Sequence, residues 1–241
     1  MTIGEDGTRL RETVATACRV LARRGLVDGI LGHVSARVAE DELVVRCRGA
    51  GERGLGNTRP GDVWRLDFDG GAVDLPDGYG PPNELPIHTE LMRARPEVGA
   101  VIHAHPPAAL LAGLAGLTPR PVFGAYNIPA LRLALDGVPV FDDASLISTR
   151  ELARELLAAM EGRPVCLMRG HGVTVAASTV AQATVLAVNL EALLSATVEL
   201  ARLGAEPREL TGAELDALPD LGSSFNDRLA WQALAAEAGD G

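Results

Sequence analysis

The spacing of apolar residues changes several times along this chain, and each change marks a new element. Leu10, Val14, Ala17 and Leu21 recur at helical spacing, which predicts an amphipathic helix over residues 8–24 with Gly25 as its stop signal. Short apolar runs follow. Residues 32–38 (Gly-His-Val-Ser-Ala-Arg-Val) predict a strand, Asp41 and Glu42 a turn, and Leu43-Val44-Val45-Arg46 the hairpin partner. Residues 48–61 are rich in Gly and Arg and predict a loop. Val63-Trp64-Arg65-Leu66 and Ala72-Val73 predict two more short strands around an Asp69-Gly70-Gly71 turn.

Further on, a Gly/Pro loop over 78–83 delivers Glu84 to a helix predicted over 86–95, with Pro96 beyond its end. The apolar run from Val98 to Ile102 predicts a strand that ends in His103-Ala104-His105. A helix over 107–114, a strand over 138–141 and a helix running to Met160 come next, the last capped by Ser148 or Thr149. A strand over 165–168, a Gly170-His171-Gly172 turn and a strand over 173–175 precede a long helix over 179–203 and a last one over 226–238. Strands and helices interleave, so the chain reads as an α/β protein with a central sheet covered by helices. No repeat or linker interrupts it. One domain over 1–241 is expected, with a core over about 8–205 and a helical extension over 206–241 that packs against a neighbouring subunit.

Composition narrows the function. At 47% hydrophobic, the chain can supply a substantial core. A net charge of -10 argues against a nucleic-acid partner, which selects for a basic face. No uninterrupted apolar run approaches the roughly 18 residues of a membrane span. The first residues are acidic and lack the basic-then-apolar order of a signal peptide, so a cytoplasmic protein with no membrane partner is expected. Cys18, Cys47 and Cys166 are widely spaced and read as small buried hydrophobes. All 22 basic residues are arginine. Without a lysine amine there is no Schiff base, so carbanion chemistry here needs another electron sink, and a metal ion is the obvious one.

The candidate ligands are histidines. Strand alternation puts His103 and His105 on one face, where two imidazoles can bind one cation, and His171 could supply a third nitrogen. Three protein ligands with an open fourth position is the arrangement of a catalytic metal. Taken singly, these residues are weak signals. A histidine near a strand end is usually a satisfied polar residue, and a lone His-x-His pair has an equally plain explanation.

Their order and context carry more. Pro82-Asn83-Glu84-Leu85-Pro86-Ile87-His88, then Arg95-Pro96-Glu97-Val98-Gly99-Ala100-Val101-Ile102-His103-Ala104-His105-Pro106, then Arg169-Gly170-His171-Gly172-Val173 resembles the class II aldolase/adducin family. Gly32-His33-Val34-Ser35-Ala36-Arg37 resembles that family's early strand motif, and the likeness extends over roughly residues 8–205. The resemblance implies a three-layer α/β/α fold with a mixed, mainly antiparallel sheet. It implies that His103, His105 and His171 hold a divalent metal, and that Glu84 is the acid/base residue. It also implies a homotetramer with the site near a subunit interface. Zinc is the default ion on ligand type, with manganese, cobalt and iron open.

The sequence departs from the sugar-phosphate members of that family. Where they carry an Asn in the early strand and a Ser-Ser pair before the glutamate, this chain has His33 and Pro82-Asn83. Proline offers neither a hydroxyl nor a backbone N–H to a phosphate. Arg46, Arg48 and Arg53 stand near another phosphate-binding loop of the family. They read either as a solvated loop or as a carboxylate clamp, since guanidinium forks suit planar carboxylates. Arg46 and Arg48 would share a face if the strand persisted. His33 is a candidate substrate donor and catalytic residue, and Ser35 a candidate substrate contact. His88 fits a packing or orienting role better than a ligand's, and Tyr126 and Trp231 could reach a substrate pocket.

The expected function is that of a divalent-metal-dependent carbon–carbon lyase. The favoured reaction is decarboxylation of a small unphosphorylated acid, hydroxyaromatic (dihydroxyphthalate-like) or 2-oxo. Alternatives are aldol cleavage of a hydroxy-carbonyl compound to an aldehyde, a non-haem iron oxygenase using two histidines and Glu84, and a catalytically dead adducin-like binding module.

Overall fold

The two periodicities of the sequence separate into layers. In the computed structural model, which describes residues 3–222 and 224–239, seven strands form one sheet. They are β1 (His33–Ala39), β2 (Glu42–Arg46), β3 (Val63–Asp67), β4 (Ala100–Ala104), β5 (Val140–Phe141), β6 (Val165–Met168) and β7 (Gly172–Ala177). Their order across the sheet is β3-β2-β1-β4-β7-β6-β5. Every neighbouring pair is antiparallel except β5 and β6, so the sheet is mixed and mainly antiparallel, as expected.

Helices α1 (Ile3–Arg23), α3 (Pro107–Ala115), α4 (Ile128–Asp136) and α6 (Val180–Arg202) cover one face, and α2 (Leu85–Ala94) and α5 (Arg150–Ala159) the other. Strand alternation feeds both layers. Ala100, Ile102 and Ala104 join Val14, Leu21 and Leu190 in the first core, while Val101 joins Ile87, Leu91 and Leu156 in the second. Leu21 is fully buried, and cutting it to Ala would cost about 2–5 kcal/mol. α6 is long and apolar enough to cross a membrane by length and composition, but Val180, Ala183, Ala187, Leu190 and Leu194 pack into the first core.

Several boundaries differ from the sequence expectation. Ala72 forms only an isolated bridge with Leu66, so residues 72–73 are not a strand. α4, which was not anticipated, is started by Asn127, whose side chain accepts the Ala130 N–H at 3.0 Å, and by a proline in the first turn. A short α7 (Gly212–Asp216), also unanticipated, begins on a Thr211–Glu214 capping box. The last helix was expected from Asn226. Instead a π-helical turn over Ser224–Leu229 precedes α8 (Ala230–Gly239), whose Leu234 and Ala238 pack with Val20 of α1 and Val185 of α6. The first helix starts earlier than expected, at Ile3.

Candidate active site

Neighbouring strands set the site. β1 and β4 pair with His33 opposite His103 and Ser35 opposite Val101, so both histidines face α2. β7 pairs with the other edge of β4, with Ala104 opposite Val173, and the three-residue turn from β6 to β7 therefore brings His171 beside the end of β4. That approach needs Gly172. A Cβ there would run into the Ala104 carbonyl oxygen and lie 2.9 Å from His105 Cδ2. Gly32 does the same service before β1. It has φ 78°, and a Cβ would lie 3.1 Å from the His103 carbonyl oxygen. α2 then lays its first turn over the paired strands, with Glu84 at its N-cap and His88 one turn later on the same side.

Glu84, His103, His105 and His171 each offer a ligand atom within 4.8 Å of the others. His103 Nε2 and His105 Nε2 are 2.7 Å apart, close enough to share one hydrogen, and both nitrogens turn toward the same point. Glu84 Oε2 lies 3.4 Å from His103 Nε2 and 3.8 Å from His33 Nε2, and Oε1 lies 3.5 Å from His171 Nε2. The Ile147 backbone N–H donates to Oε1 at 3.0 Å.

Burial alone would raise the Glu84 carboxyl, but the ring nitrogens of His171, His33 and His103 gathered around it outweigh burial and hold the group well below the usual carboxylate range. Burial pushes His33 and His103 down, and lowers His105 to about 4. At neutral pH His33, His103 and His105 are thus neutral beside an anionic carboxylate, the protonation that metal binding requires of a ligand imidazole. The donor set, three imidazole nitrogens and one carboxylate, fits a borderline divalent ion. The Nδ1 atoms of His103 and His171 are buried without a partner among the described residues, so no outer acceptor sets those two tautomers. A cation on Nε2 would do so.

The other site residues expected from sequence fall in different places. Arg48 donates to the Ile30 carbonyl at 3.1 Å, and its positive charge acts on both His33 and His105, so it lies by the centre. Arg46 does not. β2 ends at Arg46, so it and Arg48 do not share a strand face. Arg46 follows the alternation of Val44 toward the α1 face, pairs with Glu52, and acts on Cys18. Arg53 pairs with Asp62 at 3.1 Å, away from the histidines. Ser35 is buried behind His88, its Oγ 2.6 Å from His88 Nδ1. Tyr126 is 87% exposed, and Trp231 packs on the α1–α6 side. The three cysteines are unpaired and buried, and burial pushes each thiol up to about 12. The Ile147 N–H had no sequence signal, because it comes from a loop distant in the chain.

This geometry, a histidine triad and a carboxylate on a mixed α/β/α sheet, suits a metal-dependent enzyme. The family model for the Class II Aldolase and Adducin N-terminal domain matches residues 12–198, and the chain belongs to this divalent-metal-dependent family. It is 50% identical over 225 residues to a 3,4-dihydroxyphthalate decarboxylase of Arthrobacter keyseri, covering 92% of this chain and 91% of the relative. It is 47% identical over 232 residues to a 3,4-dihydroxyphthalate decarboxylase of Terrabacter sp. (strain DBF63), covering 95% of this chain and 97% of the relative. Among solved structures, the L-fuculose 1-phosphate aldolase from Glaciozyma antarctica PI12 superposes with a TM-score of 0.79 at 17% identity, over 99% of this chain and 93% of that one, a likeness of fold.

Proposed function

We propose that this chain is a divalent-metal-dependent decarboxylase of 3,4-dihydroxyphthalate or a closely similar hydroxyaromatic diacid. The observation that carries the proposal is identity of 50% and 47% to two 3,4-dihydroxyphthalate decarboxylases over more than nine-tenths of every chain involved. The Pro82-Asn83 pair before Glu84, where a phosphate would need hydroxyls, supports an unphosphorylated substrate.

A divalent ion held by His103, His105 and His171 would supply the Lewis acidity that draws charge from the ring as its carboxylate departs. The chain's own groups do the rest. Arg48 is the guanidinium placed to hold the carboxylate that the product keeps. Glu84, anionic and tied to the Ile147 N–H, takes the proton of the ring hydroxyl. The carbon–carbon bond breaks, its electron pair stays on the ring carbon, and carbon dioxide leaves. The proton then passes from Glu84 to that carbon, with the His33 ring beside it. Burial of His33, Glu84 and His103 keeps bulk water from competing.

Zinc is the ion the ligand set favours, with manganese, cobalt and iron behind it. A homotetramer is supported by exposed Leu110, Leu111 and Leu114 on α3, the helix that starts just after His105. A single functional unit over 1–241 is supported by the one continuous sheet. Three buried, unpaired thiols suit a reducing cytoplasm.

The test is anaerobic incubation of metal-reconstituted protein with 3,4-dihydroxyphthalate, reading carbon dioxide and the ring product. Metal-dependent carbon dioxide and a dihydroxybenzoate are expected. Turnover only with oxygen would point to an oxygenase, an aldehyde from a hydroxy-carbonyl compound to an aldolase, and failure to bind any metal to a binding module.

A further inference from the structure

All five histidines of the chain stand in one cluster, yet only three of them belong to the candidate metal centre. The other two form a chain of their own. His33 Nδ1 lies 2.6 Å from His88 Nε2, and His88 Nδ1 lies 2.6 Å from Ser35 Oγ. Ser35 and His88 are fully buried and His33 is 3% exposed. Three apolar side chains in the same space would stabilise the layer between β1 and α2 more simply, because buried polar groups are costly unless all their bonds are made. The arrangement therefore needs a purpose other than packing.

The local fold explains how the chain forms. Ser35 follows His33 by two residues on β1, so both face α2. His88 follows Glu84 by four residues on α2, so both face β1. One end of the chain is thus a hydroxyl that can donate or accept. The other end is His33 Nε2, pointing at Glu84 Oε2 across 3.8 Å.

Between His33 and His88 there is room for one hydrogen, and its position settles every other. In one sense Ser35 Oγ–H donates to His88 Nδ1, His88 Nε2–H donates to His33 Nδ1, and His33 carries its hydrogen on Nε2. In the other sense all three are reversed, and the bare His33 Nε2 lone pair faces an anionic carboxylate. The Glu84 carboxylate facing His33 Nε2 favours the first sense, because a hydrogen there meets an anion, whereas a bare lone pair there would be repelled by it.

We propose that Ser35 and His88 are positioning residues that hold His33 as its Nε2–H tautomer, with that hydrogen aimed into the site beside Glu84. His33 then enters the reaction as a hydrogen-bond donor to the substrate's oxygen. This last step rests on the decarboxylase reading of the site. The tautomer itself does not.

The test uses full-length protein labelled with 15N-histidine, metal-free and zinc-loaded, in which five histidines give every ring signal. Two-bond proton–nitrogen correlations report which nitrogen of each ring carries hydrogen. His33 is expected as Nε2–H in the wild type and as a mixture or the opposite tautomer in His88→Phe. On 3,4-dihydroxyphthalate, His88→Phe should lower kcat by about 10–100-fold with KM within about threefold, as loss of an orienting partner does. His88→Gln, whose amide N–H can reach His33, should restore most of kcat, and Ser35→Ala should lose about 3–10-fold.

A wild-type His33 found as Nδ1–H overturns the proposal, as does unchanged kcat in a folded His88→Phe. If His88→Phe does not fold, Ser35→Ala and His88→Gln carry the same test, and an unaltered His33 signal in Ser35→Ala counts against the chain. If the substrate is not turned over but the His33 tautomer still follows residue 88, the decarboxylase reading fails and the positioning chain stands.

Discussion

The two ends of α2 each bury a carboxylate, and they treat it in opposite ways. Glu90, in the second half of the helix, is 4% exposed and is met by guanidinium groups: Arg93, Arg154 at 2.8 Å and Arg150 at 3.8 Å. Arg93 and Arg150 also pair with Asp69, so the network ties α2, α5 and the turn after β3 together. Its charges are balanced within the chain, and it joins the helices that carry the site. Glu84, at the first turn, is 5% exposed and is met by imidazoles that burial keeps neutral. There the negative charge has no permanent cation, and ring nitrogens point at one another. A balanced buried charge is built to hold structure, whereas one balanced only by something that binds marks a working site.

The widest separation between the two ends should come from His103→Ala. It should abolish zinc retention and cut turnover by about 10³-fold or more, and chelation of the wild type should match it. Both are read by metal analysis beside initial rates. Glu84→Gln should follow, with kcat down about 10²–10⁴-fold and the thermal midpoint near the wild type's. Glu90→Gln should do the reverse. Losing its ion pairs, whose guanidinium partners remain in contact with water, should cost about 1–2 kcal/mol in denaturant unfolding, while kcat per folded enzyme stays within about twofold. Were Glu90→Gln to strike kcat and Glu84→Gln only stability, the contrast would collapse.

Smaller effects sharpen the same contrast. Arg48→Ala should raise KM about 10-fold with kcat little changed, which steady-state kinetics would show. Glu191 on α6 is a third kind of carboxylate, half-buried, with neither arginine nor histidine. Its Oε1 accepts from Ser195 at 3.0 Å, its Oε2 has no partner among the described residues, and burial raises the group from 4.5 to about 7. The folded state therefore holds this proton more tightly than the unfolded chain. Its contribution is full below pH 4.5 and is lost as pH rises through about 7. Glu191→Gln should flatten that decline, by roughly 1–3 kcal/mol at pH 8, in unfolding curves across pH.

Much of this was legible in the sequence because it rested on local pattern. Short apolar runs identified β1, β2 and β4, and the order of the motifs around Glu84, His103, His105 and His171, with the family resemblance they carry, pointed to the cluster that the fold brings together. What escaped depended on register and on distant segments. Arg46 and Arg48 looked alike on paper, but the end of β2 separates them and Arg46 keeps the α1-facing alternation of Val44. Ser35 looked free to meet substrate, yet the His33–His103 register places it under His88. The Ile147 N–H on Glu84 comes from a loop 63 residues further along the chain, where no spacing rule reaches.

The flush contact at Gly172 has a consequence for how such a centre can change. Its candidate ligands are adjustable parts. A histidine exchanged for aspartate shifts ion preference and leaves the scaffold standing. Position 172 has no such latitude, because even a methyl group would wedge the turn bearing His171 away from the strand leading to His105. An engineer retuning the centre for another ion should vary the ligands and leave the glycine alone. A diverging lineage would meet the same rule, free to alter what its histidines grip long before it could alter the backbone contact that brings them together.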